Sequence, residues 1–117
     1  MRIISGNFKG RKILEPKDIK TRPLKDLTKE SIFNIINHSN KFSLNIKDSL
    51  ILDLFSGVGS FGIECLSRGA KHVTFVENYA GVIPILKKNL DNLNIKERYE
   101  IINKNIFINL NLNIKKD

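Results

Sequence analysis

Cysteine is nearly missing from this chain of 117 residues. The single Cys65 excludes a disulfide framework and any cysteine-based zinc site, and no bound metal is expected. Its place in a helix after a glycine turn makes it a core residue. Long apolar runs are missing too: no stretch stays apolar for the ~18 residues a membrane helix needs. Met1-Arg2-Ile3-Ile4 lacks the apolar region of a secretory signal, so the cytoplasm is the expected compartment and no membrane partner is expected. Internal repeats are absent. Proline occurs only at Pro16, Pro23 and Pro84, never as an adjacent pair. His38 and His72 lack the partner pattern that acid–base work requires. At this length the chain amounts to at most one full-sized domain.

Charge is present, and it is uneven. The formal net charge is +8. Residues 1–47 carry eleven Lys and Arg against Glu15, Asp18, Asp26 and Glu30, a net +7, whereas residues 48–117 carry nine against eight. A basic arm ahead of a near-neutral core is the electrostatic footprint of a nucleic-acid partner. A solvated, lysine-rich surface is the plainer alternative; concentration in one segment favours RNA or DNA.

The pattern of apolar residues predicts an ordered alternation. Arg2-Ile3-Ile4-Ser5 and Arg11-Lys12-Ile13-Leu14 flank Gly6 to Gly10, which suggests a β-hairpin with a basic tip. A helix is expected from Asp26, a reasonable N-cap, to His38, with Leu27, Ile32, Ile35 and Ile36 recurring at helical spacing. Leu50 to Leu54 reads as a strand and Phe61 to Ser67 as a helix ended by Gly69. His72 to Glu77 is a second strand. A helix marked by Val82, Leu86, Leu90 and Leu93 follows, with Pro84 tolerable only in its first turn. Tyr99 to Ile102 is a third strand. The order β-α-β-α-β predicts a parallel sheet of the α/β class.

The most informative stretch is Asp53-Leu-Phe-Ser-Gly-Val-Gly-Ser-Phe-Gly-Ile-Glu, residues 53 to 64, which follows the apolar run 49–52. Gly57, Gly59 and Gly62 satisfy the G-x-G-x-x-G spacing of dinucleotide sites, and Glu77 lies near the ~20-residue distance at which a ribose-binding acid is expected. Asp53 decides between ligands. A pyrophosphate on helix amides wants no anion beside it. A carboxylate before the turn is costly unless a cation compensates it. The ammonium and sulfonium of S-adenosylmethionine (SAM) would do so; an NAD site remains open as the alternative.

Taken together, several stretches resemble the N-terminal portion of the RsmD-type 16S rRNA guanine-N2 methyltransferases, a Class I SAM-dependent family. They are Arg2-Ile3-Ile4-Ser5-Gly6 with Gly10-Arg11-Lys12, then Thr21-Arg22-Pro23 with Glu30, Phe33 and Asn34. The strand and turn from Asp53 to Gly59, Leu66 to Ala70 and Phe75-Val76-Glu77 continue the match, which runs to about Asn105. The resemblance implies a Rossmann-like sheet, here incomplete at about three strands, behind an N-terminal hairpin and helix. It divides the chain into a basic RNA- and cofactor-closing segment, 1–47, and the first half of a SAM-binding domain, 48–117. It implies that Asp53 faces the methionine ammonium and that Phe55, Gly57 and Gly59 lie against the cofactor. Glu77 would accept from the ribose hydroxyls, and Asn78 would flank the adenine. Thr21 and Arg22 would close over the methionine end. Arg2, Lys9, Arg11 and Lys12 are the candidate contacts to ribosomal RNA in the small subunit.

Two departures from the family pattern stand out. Asn105 replaces the aspartate that binds the adenine amino group, keeping an acceptor without its charge. The family's Asp/Asn-Pro-Pro-aromatic tetrapeptide, which accepts the hydrogens of the guanine amine and stacks on the flipped base, does not occur. The expectation is therefore a fragment of an rRNA methyltransferase, inactive alone and with no catalytic residue of its own. A non-catalytic SAM- and RNA-binding remnant is the alternative. Loss of a fourth strand would leave Leu50 to Leu54 as an apolar edge open to self-association.

Overall fold

The computed structural model describes residues 1–16, 26–38 and 45–104. Helix α1 spans Asp26–His38, strand β1 Leu50–Asp53, helix α2 Ser60–Ser67 and strand β2 His72–Val76. Helix α3 spans Ile83–Asp91, and a 3-10 turn over Lys96–Arg98 leads into strand β3, Tyr99–Ile102. The strands form one parallel sheet in the order β1-β2-β3, with Asp53 beside Phe75 and Val76 beside Ile102. Every residue of the central strand is buried, as an apolar run covered on both faces should be. Among the described residues β1 is an outer strand of the sheet, and Leu50, Leu52 and Leu54 are exposed there.

Glycines set the helix ends. Gly59 precedes α2 at φ +94°, and Gly69 follows it at φ +102°, both in the left-handed region that side chains avoid. Gly62 serves packing instead. A Cβ there would come within 2.3 Å of the Phe75 ring, so only glycine lets α2 lie this close to β2. Pro84 occupies the first turn of α3, as its missing N–H requires.

The N-terminal hairpin forms around an antiparallel bridge between Arg2 and Lys12. Ile3 donates to Arg11 O at 2.9 Å, and Gly10 donates to Ile3 O at 2.8 Å. Ile3 and Ile13 join the same core as Phe33, Ile63, Leu66, Phe75, Leu86 and Leu90. The hairpin is bound to α2 by more than apolar contact. The Glu64 carboxylate accepts the Ile4 and Ser5 amides at 2.9 and 3.0 Å. Ser67 Oγ accepts the Phe8 amide at 3.0 Å and donates to Ser5 O, while Asn7 donates to Ser67 O at 2.8 Å.

Helix α1 has the predicted bounds but turns only part of the predicted face inward: Ile32 and Ile36 are half-buried, and Ile36 packs against the core. Leu27 and Ile35 are 77% and 58% exposed, whereas Lys29 and Phe33 are fully buried. The reason is electrostatic. The Lys29 ammonium meets Glu64 Oε1 at 3.2 Å and also donates to Arg2 O and Ser60 Oγ. Its four-carbon stem spans the apolar layer to reach them. One turn on, Phe33 stacks on Phe61 at 5.1 Å, and the Arg68 guanidinium lies over the Phe33 ring, 4.3 Å from its centre.

The 3-10 turn, which no apolar pattern predicts, carries Arg98. Its guanidinium donates to Leu66 O at 2.8 Å and to Ala70 O. Leu66 lies in the last turn of α2, where intrahelical partners run out, and Ala70 lies just past the Gly69 that follows the helix.

A buried pair broken on one side leaves an uncompensated charge. Lys29→Met should therefore lower the free energy of unfolding by about 3 kcal/mol, measured by urea denaturation. Adding Glu64→Gln should restore part of the loss, and Glu30→Ala, on the exposed side of α1, should change stability by less than about 0.5 kcal/mol. Equal stability of Lys29→Met and the unsubstituted chain would refute the buried pair.

Candidate cofactor site

The carboxyl ends of β1 and β2 form one edge of the sheet, and the turn from Leu54 to Gly59 crosses it. This is the end of a parallel sheet at which ligands bind. The turn is held from several sides. Ser56 donates its amide to Val76 O at 3.3 Å, and Gly59 donates to Ser56 O at 2.8 Å. Glu77, one residue past β2, accepts the Gly57 amide on Oε1 at 2.9 Å. Its Oε2 accepts the Asn78 and Tyr79 amides at 3.1 and 3.0 Å. Glu77 thus joins the glycine turn to the loop after β2, a structural task that its spacing alone does not reveal.

The two turn glycines differ. Gly57 has φ +54° and faces open space, with nothing within 4 Å of a hypothetical Cβ. Gly59 is wedged against Leu86 and Ile63, whose Cδ1 atoms lie 2.7 and 3.1 Å from such a Cβ. The open side at Gly57 is where a ligand can approach backbone closely. Phe55, 65% exposed, stands on the same turn. Asn78 is exposed as well.

Asp53 ends β1 beneath this turn. Its Oδ2 is shielded from solvent and has no hydrogen-bond partner among the described residues. Burial pushes its carboxyl up from 3.8 to about 6; the Gly62 and Phe55 amides pull it back, and the Glu77 carboxylate raises it further. The site thus offers an underused buried carboxylate, open backbone at Gly57 and a second carboxylate at Glu77. It suits a ligand with a cationic group and hydroxyl donors. Thr21, Arg22 and Asn105 lie outside the described residues.

Arg2, Lys9, Arg11 and Lys12 are all exposed on the hairpin, and none forms an ion pair among the described residues. Arg11 lies over the Phe8 ring at 5.0 Å. Cys65 is fully buried and its thiol is pushed up to about 12, chiefly by burial, so it stays protonated and serves packing. His72 is buried in β2 and His38 exposed at the end of α1. Among the described residues no cluster of His, Cys, Asp and Glu can hold a metal ion, and no helix is long and apolar enough to cross a membrane.

The raised Asp53 carboxyl has a stability consequence. Between about pH 4 and pH 6 the folded chain holds a proton there that the unfolded chain has lost, so stability falls as pH rises through that window. Asp53→Asn should remove this fall and stabilise the chain at pH 7 by about 1–3 kcal/mol, followed by urea denaturation across pH 4–8. A fall of unchanged size in the variant would contradict the assignment.

The family model described as conserved hypothetical protein 95 matches residues 1–117. The ribosomal RNA small subunit methyltransferase D of Haemophilus influenzae is 42% identical over 105 residues, 89% of this chain and 51% of the relative. The same-named protein of Escherichia coli is 38% identical over 93 residues, 80% of this chain and 44% of the relative. The solved structure of yhhF from Escherichia coli superposes with a TM-score of 0.73 at 33% identity, covering 90% of this chain and 52% of that one. The chain spans about half the length of the curated relatives it matches. Its three-stranded parallel sheet is a partial Rossmann-like class I methyltransferase fold. By model, by identity and by fold, the chain belongs to the conserved hypothetical protein 95 family, that of the RsmD-type methyltransferases.

Proposed function

We propose that the turn between β1 and α2 binds S-adenosylmethionine, and that the chain is the cofactor-binding part of an enzyme methylating the exocyclic N2 of a guanine in 16S rRNA. The observation that carries the cofactor is the buried Asp53 oxygen without a hydrogen-bond partner. An ammonium placed there offsets the desolvation that raises the carboxyl, whereas a pyrophosphate would worsen it. When bound, the cofactor supplies a methyl group on a positively charged sulfur, ready for in-line attack by an amine.

The chain's own residues bind and orient. Asp53 holds the ammonium end. Gly57 gives the ligand access to backbone, and Phe55 offers an exposed ring beside it. Glu77 accepts the Gly57 amide on Oε1 and the Asn78 and Tyr79 amides on Oε2, so of the about four acceptor sites of a carboxylate the one left on Oε1 would take a ribose hydroxyl. Asn78 flanks the adenine, while Thr21, Arg22 and Asn105 keep the roles that the family resemblance assigns them. The RNA substrate is supported by relatives named as ribosomal RNA small subunit methyltransferases and by the hairpin cations. Arg2 and Lys12 stand opposite each other across the hairpin bridge, where like charges repel unless an anion lies between them.

Calorimetry with SAM, S-adenosylhomocysteine and NAD tests the cofactor. S-Adenosylhomocysteine should bind, Asp53→Ala should weaken it by about tenfold or more, and affinity should fall as pH drops below about 6, where Asp53 takes up its proton. NAD binding insensitive to Asp53→Ala would overturn the assignment in favour of a dinucleotide enzyme.

RNA binding is tested by salt. Each phosphate that a hairpin cation neutralises releases counterions, so replacing Arg2, Lys9, Arg11 and Lys12 together by alanine should weaken binding to small-subunit rRNA. The slope of log K against log salt should drop by about three to four units. An unchanged slope would leave these side chains as solvated surface.

A further inference from the structure

Helix α3 carries one polar residue on its buried face. Leu86 and Leu90 are fully buried, and Asn89 between them is only 4% exposed. A carboxamide in such a place must have its hydrogen bonds made, and this one is met by two segments distant in sequence. Asn89 Oδ1 accepts the Leu14 amide at 2.8 Å, and Nδ2 donates to Leu14 O at 3.1 Å. The side chain thus pairs with both backbone groups of one residue, as a neighbouring strand would. The second Nδ2 hydrogen goes to Val58 O at 3.0 Å.

Val58 is the residue between the two left-handed glycines of the turn. Its carbonyl shares a peptide unit with the Gly59 amide, which donates to Ser56 O at 2.8 Å. That peptide plane is therefore gripped at both ends, by Asn89 on the carbonyl and by Ser56 on the amide. Two peptide units earlier, the Gly57 amide is gripped by Glu77. With neighbouring glycines in the left-handed region, the turn has little conformational preference of its own. Its shape comes from these outside contacts. Asn89 is the contact that reaches it from α3, and the same side chain holds the hairpin arm that bears Arg11 and Lys12.

We propose that Asn89 is a positioning residue for the cofactor turn: it sets the Val58–Gly59 peptide and, through Leu14, ties that peptide to the basic hairpin. The proposal rests on the cofactor reading above and adds to it a residue that touches neither ligand. Without the carboxamide, the Val58 carbonyl loses its partner, the turn samples other peptide orientations, and the backbone at Gly57 no longer meets the ligand in one geometry.

The test sets ligand affinity against stability in the full chain. Asn89→Leu keeps the volume and removes every hydrogen bond; Asn89→Asp keeps the shape and the acceptor for Leu14 while removing both donors. Leu93→Ala, a buried residue beyond the end of α3, serves as a control for lost stability without contact to the turn. S-Adenosylhomocysteine affinity is read by calorimetry at a temperature where each variant is folded, and the Gly57 and Gly59 amide resonances by NMR. The expected result is a loss of about tenfold or more in affinity for whichever Asn89 variants fold, with both glycine resonances displaced. Leu93→Ala should stay within about twofold, with those resonances in place. Retained affinity in a folded Asn89 variant, or an equal loss in Leu93→Ala, overturns the proposal while leaving the cofactor assignment intact. Absence of binding by the unsubstituted chain sinks both together. Failure of both Asn89 variants to fold also overturns it, because the residue would then be part of the core and not a tuner of the turn.

Discussion

A carboxylate taken wholly out of water needs its hydration replaced, and the described structure is organised around one that has been. Glu64 is fully buried on α2, where an isolated charge would be penalised by several kcal/mol. Its oxygens receive the Ile4 and Ser5 amides, the Lys29 ammonium and the Arg68 guanidinium. These donors come from the hairpin, from α1 and from one turn further along α2. Any rearrangement that lifts the hairpin or rotates α1 strips a donor from a buried anion. That adds to the core contacts of Ile3 and Ile13 in holding the N-terminal hairpin in a fixed place. It also explains why α1 buries a lysine and leaves two large aliphatic residues outside.

Asp53 makes the opposite use of the same physics. Glu64 has a full set of donors; Asp53 has an oxygen with none, and its carboxyl is held near 6 in consequence. The two carboxylates lie on consecutive elements, Asp53 at the end of β1 and Glu64 in the middle of α2. The difference in their surroundings separates a structural anion from a receptive one. A carboxylate kept underused favours a cation over an anion beside it, and the proposed cofactor reading rests on that difference from a pyrophosphate cradle of the same spacing.

The elements were readable from the chain because each rests on local chemistry. Alternating apolar runs, Gly69 after α2 and Pro84 in the first turn of α3 locate strands and helices to within a residue or two. The Asp53 and glycine pattern located the turn, and the structure puts Glu77 against it. What could not be read was set by distant partners. Leu27 and Ile35 follow helical spacing as well as Lys29 and Phe33 do, and only the presence of Glu64 thirty-five residues from Lys29 decides which pair turns inward. Arg98 looks like one more surface cation until the carbonyls at the end of α2 are seen beside it. Asn89 did leave a signal, a polar residue between Leu86 and Leu90, but nothing in the pattern says that its partners are Leu14 and Val58.

The turn itself shows why so many polar contacts converge on so short a segment. Glycine is favoured at 57 and 59 by positive φ, and at 59 also by the close approach of Leu86, yet glycine brings the greatest conformational freedom of any residue. Left alone, such a loop would spend its binding energy on being ordered by the ligand. Ser56, Glu77 and Asn89 remove that freedom beforehand from three different elements, the turn, the end of β2 and α3. Flexibility demanded by sterics is thus cancelled by hydrogen bonds made elsewhere. A ligand bound as proposed would meet a turn already shaped, above the Asp53 carboxylate at the end of β1.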